Sequence, residues 1–141
     1  MSGLGGHHVL IIEDEMMIAL SLEDMLTGLG FRSFDIADTA VAALLCARKH
    51  RPDMITADGR IIGGTGMEAV DQITNAMGAI PAVYVTGDPK FIVGRGPVVT
   101  KPFSRETLGA ACARVYGFPL SSAEGGGATP AAAVSTGLQS T

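Results

Sequence analysis

Charged and polar side chains stand at the ends of four short apolar runs. Glu13 and Asp14 follow Val9-Leu10-Ile11-Ile12, Asp58 follows Met54-Ile55-Thr56-Ala57, Thr86 follows Ala82-Val83-Tyr84-Val85, and Lys101 follows Val98-Val99-Thr100. If these runs are neighbouring parallel strands, three carboxylates, a hydroxyl and an ammonium meet at one rim of the sheet. That rim is where such sheets bind their ligands. Crowded carboxylates repel one another unless a hard cation lies among them, and Mg²⁺ with oxygen ligands is the usual companion of phosphate chemistry. An aspartate there can take up a phosphoryl group while the ammonium and the hydroxyl meet the charge on its oxygens. Singly, an Asp or Thr after a strand is most often a turn or linker residue. Together the placement favours function, because folding does not require such groups to gather at one end of one sheet.

Those side chains need elements to carry them, and strand and helix patterns alternate along the chain. Ile18, Leu22, Met25, Leu26 and Leu29 follow helical spacing, with Gly28 and Gly30 available to stop the helix. Phe31 to Ile36 reads as a second, partly exposed strand. Val41, Leu44 and Leu45 are expected on the inward face of a second helix, which ends in the basic cluster Arg48-Lys49-His50-Arg51 before Pro52. That cluster reads as a solvated helix end. Gly63-Gly64-Thr65-Gly66 opens a third helix with Met67, Val70 and Ile73 inward, and Ser104 caps a last helix with Leu108, Cys112 and Val115 inward. Strands separated by helices pair in parallel through right-handed crossovers. Between Thr86 and Lys101, however, Gly87, Pro89, Gly94, Gly96 and Pro97 leave little room for a helix, so the fourth crossover is expected to be a loop or a single turn.

Composition sets the outer bounds. A chain of 141 residues, 47% hydrophobic, can bury one core, so one domain is expected over residues 7–117, between a flexible N-terminus at 1–6 and a disordered tail at 118–141 rich in Ala, Gly, Ser and Thr. A net charge of −4 without a basic stripe argues against nucleic acid. Cys46 and Cys112 lie in apolar helical stretches and read as reduced core thiols. With neither a signal-peptide pattern nor a long apolar span, the expected compartment is the cytoplasm, with no membrane partner. His7 and His8, adjacent in a Gly-rich start, read as a solvated terminus.

VLIIEDE at 9–15, PDMITADG at 52–59, VTG at 85–87 and KPF at 101–103 resemble the receiver domain of bacterial two-component response regulators. The likeness runs from about Val9 to Val115. The stretch Pro81 to Gly87, with the shortened crossover behind it, is similar to the FATGUY-type receivers of alphaproteobacteria, although Ala82 and Val85 depart from their letters. The resemblance implies an α/β fold, a doubly wound five-stranded parallel sheet of order 2-1-3-4-5 with a shortened or missing fourth helix. It implies that Asp58 accepts a phosphoryl group from the phosphohistidine of a histidine kinase. Mg²⁺ would be held by Glu13, Asp14, Asp58 and the backbone carbonyl of Arg60, with Glu13 standing where most members have Asp. Thr86 and Lys101 would meet the phosphoryl oxygens, and Pro102 would be the family's cis-proline behind Lys101.

In the family a buried aromatic on the fifth strand follows the Thr when the protein switches. Here that position is Val98, and Tyr84, on the same strand face as Thr86, is the candidate substitute. The loop from Gly87 to Pro97 is expected to become ordered on phosphorylation. Arg60 and Asp88 occupy positions that tune access of water in the family. No output domain follows the receiver pattern, so the expected protein is a signalling partner rather than an enzyme: a relay, a phosphate sink or a regulator, monomeric when unphosphorylated. The subgroup likeness leans toward stress-response phosphorelays with HWE-type kinases. A phospho-independent pseudo-receiver is the alternative, but such proteins usually lose one of the acidic, Thr or Lys residues. A haloacid-dehalogenase-like phosphatase would need an acid where Arg60 stands, and a flavodoxin-like cofactor binder would suffer repulsion from the acidic rim.

Overall fold

Short apolar runs that must be buried on both faces form the centre of the molecule. The computed structural model describes residues 7–92 and 95–116. Strands β1 (His8–Ile12), β2 (Ser33–Ala37), β3 (Met54–Asp58), β4 (Ala82–Thr86) and β5 (Val98–Thr100) pair in parallel in the order β2-β1-β3-β4-β5. Every residue of β1 and β3 is buried, whereas β2 at the edge is half-exposed. The second strand starts later than the apolar pattern suggests, because Phe31 is buried in the turn before it.

Helices α1 (Met16–Gly28), α2 (Ala40–Lys49), α3 (Gly66–Met77) and α4 (Arg105–Tyr116) cover the sheet. One layer places Ala19, Leu22 and Leu26 of α1 and Leu108, Ala111 and Cys112 of α4 against Val9, Ile11, Val83, Val85 and Val99. The other places Ala43 and Ala47 of α2 and Ala69, Val70 and Ile73 of α3 against Leu10, Ile12, Ile55, Ala57 and Tyr84. Thr39 caps α2 by accepting from the Ala42 amide, and Thr65 with Glu68 forms a reciprocal capping box that fixes the start of α3. Ser104 caps α4, its Oγ accepting from the Thr107 amide at 3.2 Å.

Among its described residues the fourth crossover forms a single 3₁₀ turn, Pro89–Phe91, as the Gly and Pro content requires. The Arg95 guanidinium ties this crossover to α3 by donating to the Met67 carbonyl at 3.3 Å and pairing with Asp71.

Two expectations need correction. On α2 the inward stripe is Ala43 and Ala47 with Leu44 half-buried, while Val41 and Leu45 are 69% and 63% exposed. Both stripes repeat at four residues, and the small one faces in because alanine lets the helix lie close to the sheet and to α3. His8 is not part of a solvated terminus but opens β1, 4% exposed, its amide donating to Asp53 Oδ2 at 2.8 Å. Arg48, Lys49, His50 and Arg51 are all exposed, as expected of a solvated helix end, and Arg51 also donates to the Met77 carbonyl at 2.8 Å, satisfying the exit of α3. The flexible start at 1–6 and the disordered tail at 118–141 lie outside the described residues.

Candidate functional site

The carboxyl ends of β1, β3, β4 and β5 open at the same rim, and each delivers its polar residue there. Glu13 follows β1 directly, its amide donating to the Ala37 carbonyl at 2.9 Å, so the backbone is still held as sheet when the carboxylate appears. It is 2% exposed, whereas Asp14 beside it faces solvent. Asp58 is the last residue of β3 and 9% exposed. Carboxylate oxygens of Glu13, Asp14 and Asp58 all lie within 4.8 Å of one another.

Lys101 leaves β5 and turns its ammonium into this cluster. Its amide donates to the Thr86 carbonyl at 2.8 Å, which joins the ends of β4 and β5. Its Nζ lies 3.2 Å from Asp58 Oδ2 and 3.3 Å from Glu13 Oε1. The Lys101–Pro102 peptide bond is cis. Burial pulls the Lys101 ammonium toward neutrality, but the fields of Glu13 and Asp58 outweigh it and hold the group above its ordinary value.

Glu13 shows the opposite balance. Burial first, and the charge of Asp58 second, push its carboxyl up to about 7, against the lowering effect of the Glu15 amide and of Lys101. The Glu15 amide donates to Glu13 Oε2 at 3.2 Å. Burial, together with the Asp58 carboxylate, thus outweighs the single ammonium at Glu13. All the acidic donors are hard oxygens, which is the donor set that suits Mg²⁺ and leaves room for its waters.

Thr86 ends β4, 4% exposed, with its Oγ accepting from the Asp88 amide at 3.1 Å. The hydroxyl lies over Gly59, where an added Cβ would come within 2.7 Å of it. Gly66 at the start of α3 is tighter still, since a Cβ there would stand 1.9 Å from the Asp58 carbonyl oxygen. These two glycines let the turn after β3 and the entry of α3 close around the end of β3. The sequence reading did not single them out for this, although a Gly directly after Asp58 was the available signal. Arg60 is exposed at the rim, two positions beyond Asp58 along the chain. Tyr84, expected on the Thr86 face, is 2% exposed in the layer beneath α3.

A family model described as the response regulator receiver domain matches residues 9–113. The Phyllosphere-induced regulator PhyR of Methylorubrum extorquens is 31% identical over 120 residues, covering 80% of this chain and 45% of that protein. The solution structure of the PhyR receiver domain of Erythrobacter litoralis superposes with a TM-score of 0.72 at 28% identity, covering 91% of this chain and 100% of the other. The structure of a PhyR stress response regulator gives a TM-score of 0.66 at 35% identity, covering 77% of this chain and 44% of that one. The chain thus spans less than half the length of the full-length relatives it matches.

Proposed function

This chain belongs to the response regulator receiver domain family, and from that premise we propose that it accepts a phosphoryl group on Asp58 from a histidine kinase and signals through the surface that this changes. The observation that carries the reading is the Lys101 ammonium at 3.2 Å from Asp58 Oδ2, with Glu13 and Asp14 alongside. An Asp58 oxygen attacks phosphorus in line with the leaving imidazole. The new O–P bond forms as the P–N bond breaks, and the released imidazole of the kinase keeps the electron pair and takes a proton. Lys101 then exchanges its pairing with Asp58 for a phosphoryl oxygen, and the Thr86 hydroxyl donates to another. Glu13, Asp14, Asp58 and the Arg60 carbonyl would hold Mg²⁺. When bound, it supplies positive charge both to the carboxylates and to the transferring group.

The switch follows from what Thr86 must give up. Its Oγ now accepts the Asp88 amide, so a turn toward Asp58 releases the first bond of the loop that runs to Pro97. Tyr84, two residues earlier on the same strand face, is the buried aromatic placed to follow that movement, and its amide donates to the Pro97 carbonyl at 3.0 Å, at the end of the loop. Reordering of the segment between Gly87 and Pro97 is thus the signalling step. The name of one PhyR relative, a stress response regulator, supports a place in a stress response. We further propose a histidine kinase of the HWE type upstream and a protein partner downstream.

Amide NMR of the full chain, titrated with Mg²⁺ and then beryllofluoride, tests the reading. Wild type shifts around Asp14, Asp58, Thr86, Lys101 and the 87–97 loop, and Asp58→Ala does not respond to beryllofluoride. A wild type that ignores both ligands would make the domain a phospho-independent binding module instead.

A further inference from the structure

At the opposite end of β1 from the acidic cluster, three further side chains converge. His8 is buried at the start of the strand, with only 4% of its surface exposed. Its partner residue across the β1–β2 pair is Ser33, and Asp35 lies one step further along the same face of β2. His50, at the end of α2, stacks on the His8 ring with centroids 3.6 Å apart and planes inclined by 10°. One ligating atom from each of His8, Asp35 and His50 lies within 4.8 Å of the other two.

We propose that His8, Asp35 and His50 form a binding site for a borderline-soft divalent cation of the Zn²⁺ type, separate from the acidic cluster at the other end of the sheet. The His8 ring is already oriented for the task. Its Nδ1 lies 2.7 Å from Ser33 Oγ, which leaves Nε2 aimed at Asp35 Oδ2, 3.0 Å away. A hydrogen bond on one ring nitrogen that fixes the other toward a cation is the usual support around a metal-bound histidine. A cation at Nε2 requires the neutral tautomer whose single ring proton is on Nδ1, and in that tautomer Nδ1–H donates to Ser33 Oγ while the Nε2 lone pair is free for the ion. His50 is exposed, so rotation of its side chain can bring a nitrogen to an ion that His8 and Asp35 already hold. Two imidazole nitrogens and one carboxylate suit Zn²⁺ and related first-row ions, with water in the remaining position. Mg²⁺, which selects oxygen donors, is left to the acidic cluster. The site would join β1, edge strand β2 and the exit of α2, so occupancy would fasten the sheet edge to its covering helix.

Isothermal titration of the full chain with ZnCl₂ in excess MgCl₂ tests this, with histidine side-chain NMR as the site-specific readout. Wild type should take up about one equivalent, with the imidazole signals of His8 and His50 moving together. His50→Ala should abolish this binding, and the melting temperature of the metal-free variant checks that its fold is intact. Ser33→Ala should weaken it about 10- to 100-fold by releasing the His8 ring. His7→Gln should bind like wild type. Absence of Zn²⁺ binding, binding that survives His50→Ala unchanged, or binding lost in His7→Gln would each overturn the assignment.

Discussion

Replacing Glu13 by Gln should stabilise the metal-free protein, and the size of the gain follows from the burial of the carboxyl. In the folded chain this group is raised from 4.5 to about 7, first by burial and then by Asp58. A carboxyl that holds its proton more tightly folded than unfolded contributes stability that is fully present below pH 4.5. That stability is lost as pH rises to about 7, and above this the loss is constant. The displacement corresponds to about 3 kcal/mol. Gln has the shape of the protonated acid and can still accept from Lys101, so it does not lose this stability. In urea unfolding with chelator at pH 8, Glu13→Gln should therefore exceed wild type by about 3 kcal/mol, a rise of about 10 °C or more in a melting scan. At pH 4 the two proteins should coincide. Saturating Mg²⁺ should narrow the gap at pH 8, because only the wild type gains the full cation site. A variant no more stable than wild type at pH 8, or a gap of the same size at pH 4, would refute the electrostatic account of the cluster.

Other substitutions probe the scaffold and the ammonium. Gly66→Ala drives a methyl group into the Asp58 carbonyl oxygen and should cost about 3 kcal/mol or more in chemical denaturation, since the obstacle is backbone. Thr65→Ala removes the side-chain half of the capping box and should cost about 1 kcal/mol, with exchange protection lost first at the amides of Glu68 and its neighbours. Lys101→Met leaves Asp58 and Glu13 facing each other without the ammonium, so Mg²⁺ affinity should change little or rise while phosphoryl uptake from a small-molecule donor falls by about 100-fold. Loss of uptake no greater than a few-fold, measured by intact mass over time, would remove Lys101 from the transfer step.

The strands were readable because a parallel strand buried on both faces has to be a short apolar run, and β1, β3 and β4 are such runs. The site was readable for the same reason: each of its residues follows the run that positions it, so Glu13, Asp58, Thr86 and Lys101 could be placed at one rim without knowing any helix packing. What escaped depended on surfaces that meet only in three dimensions. Val41 and Leu45 form as good a helical stripe as Ala43 and Ala47, and hydropathy prefers the larger residues while close packing prefers the smaller. His8 looked like part of a tail because Gly-rich sequence precedes it, yet its surroundings come from Ser33, Asp35 and His50, all distant along the chain. Arg51 and Arg95 reach carbonyls on α3 from other parts of the sequence, and no local pattern announces such contacts.

The central claim is that Asp58 is a phosphoryl acceptor whose transfer is assisted by Lys101 and a cation held by Glu13 and Asp14. Its most direct test is intact-mass analysis of the full chain after incubation with acetyl phosphate and Mg²⁺, followed by peptide mapping under conditions that preserve acyl phosphates. The account predicts the mass gain of a single phosphoryl group located at Asp58, absent in Asp58→Ala and absent when Mg²⁺ is chelated. A wild-type protein that gains no phosphoryl group, or one that gains it at a residue other than Asp58, would contradict it.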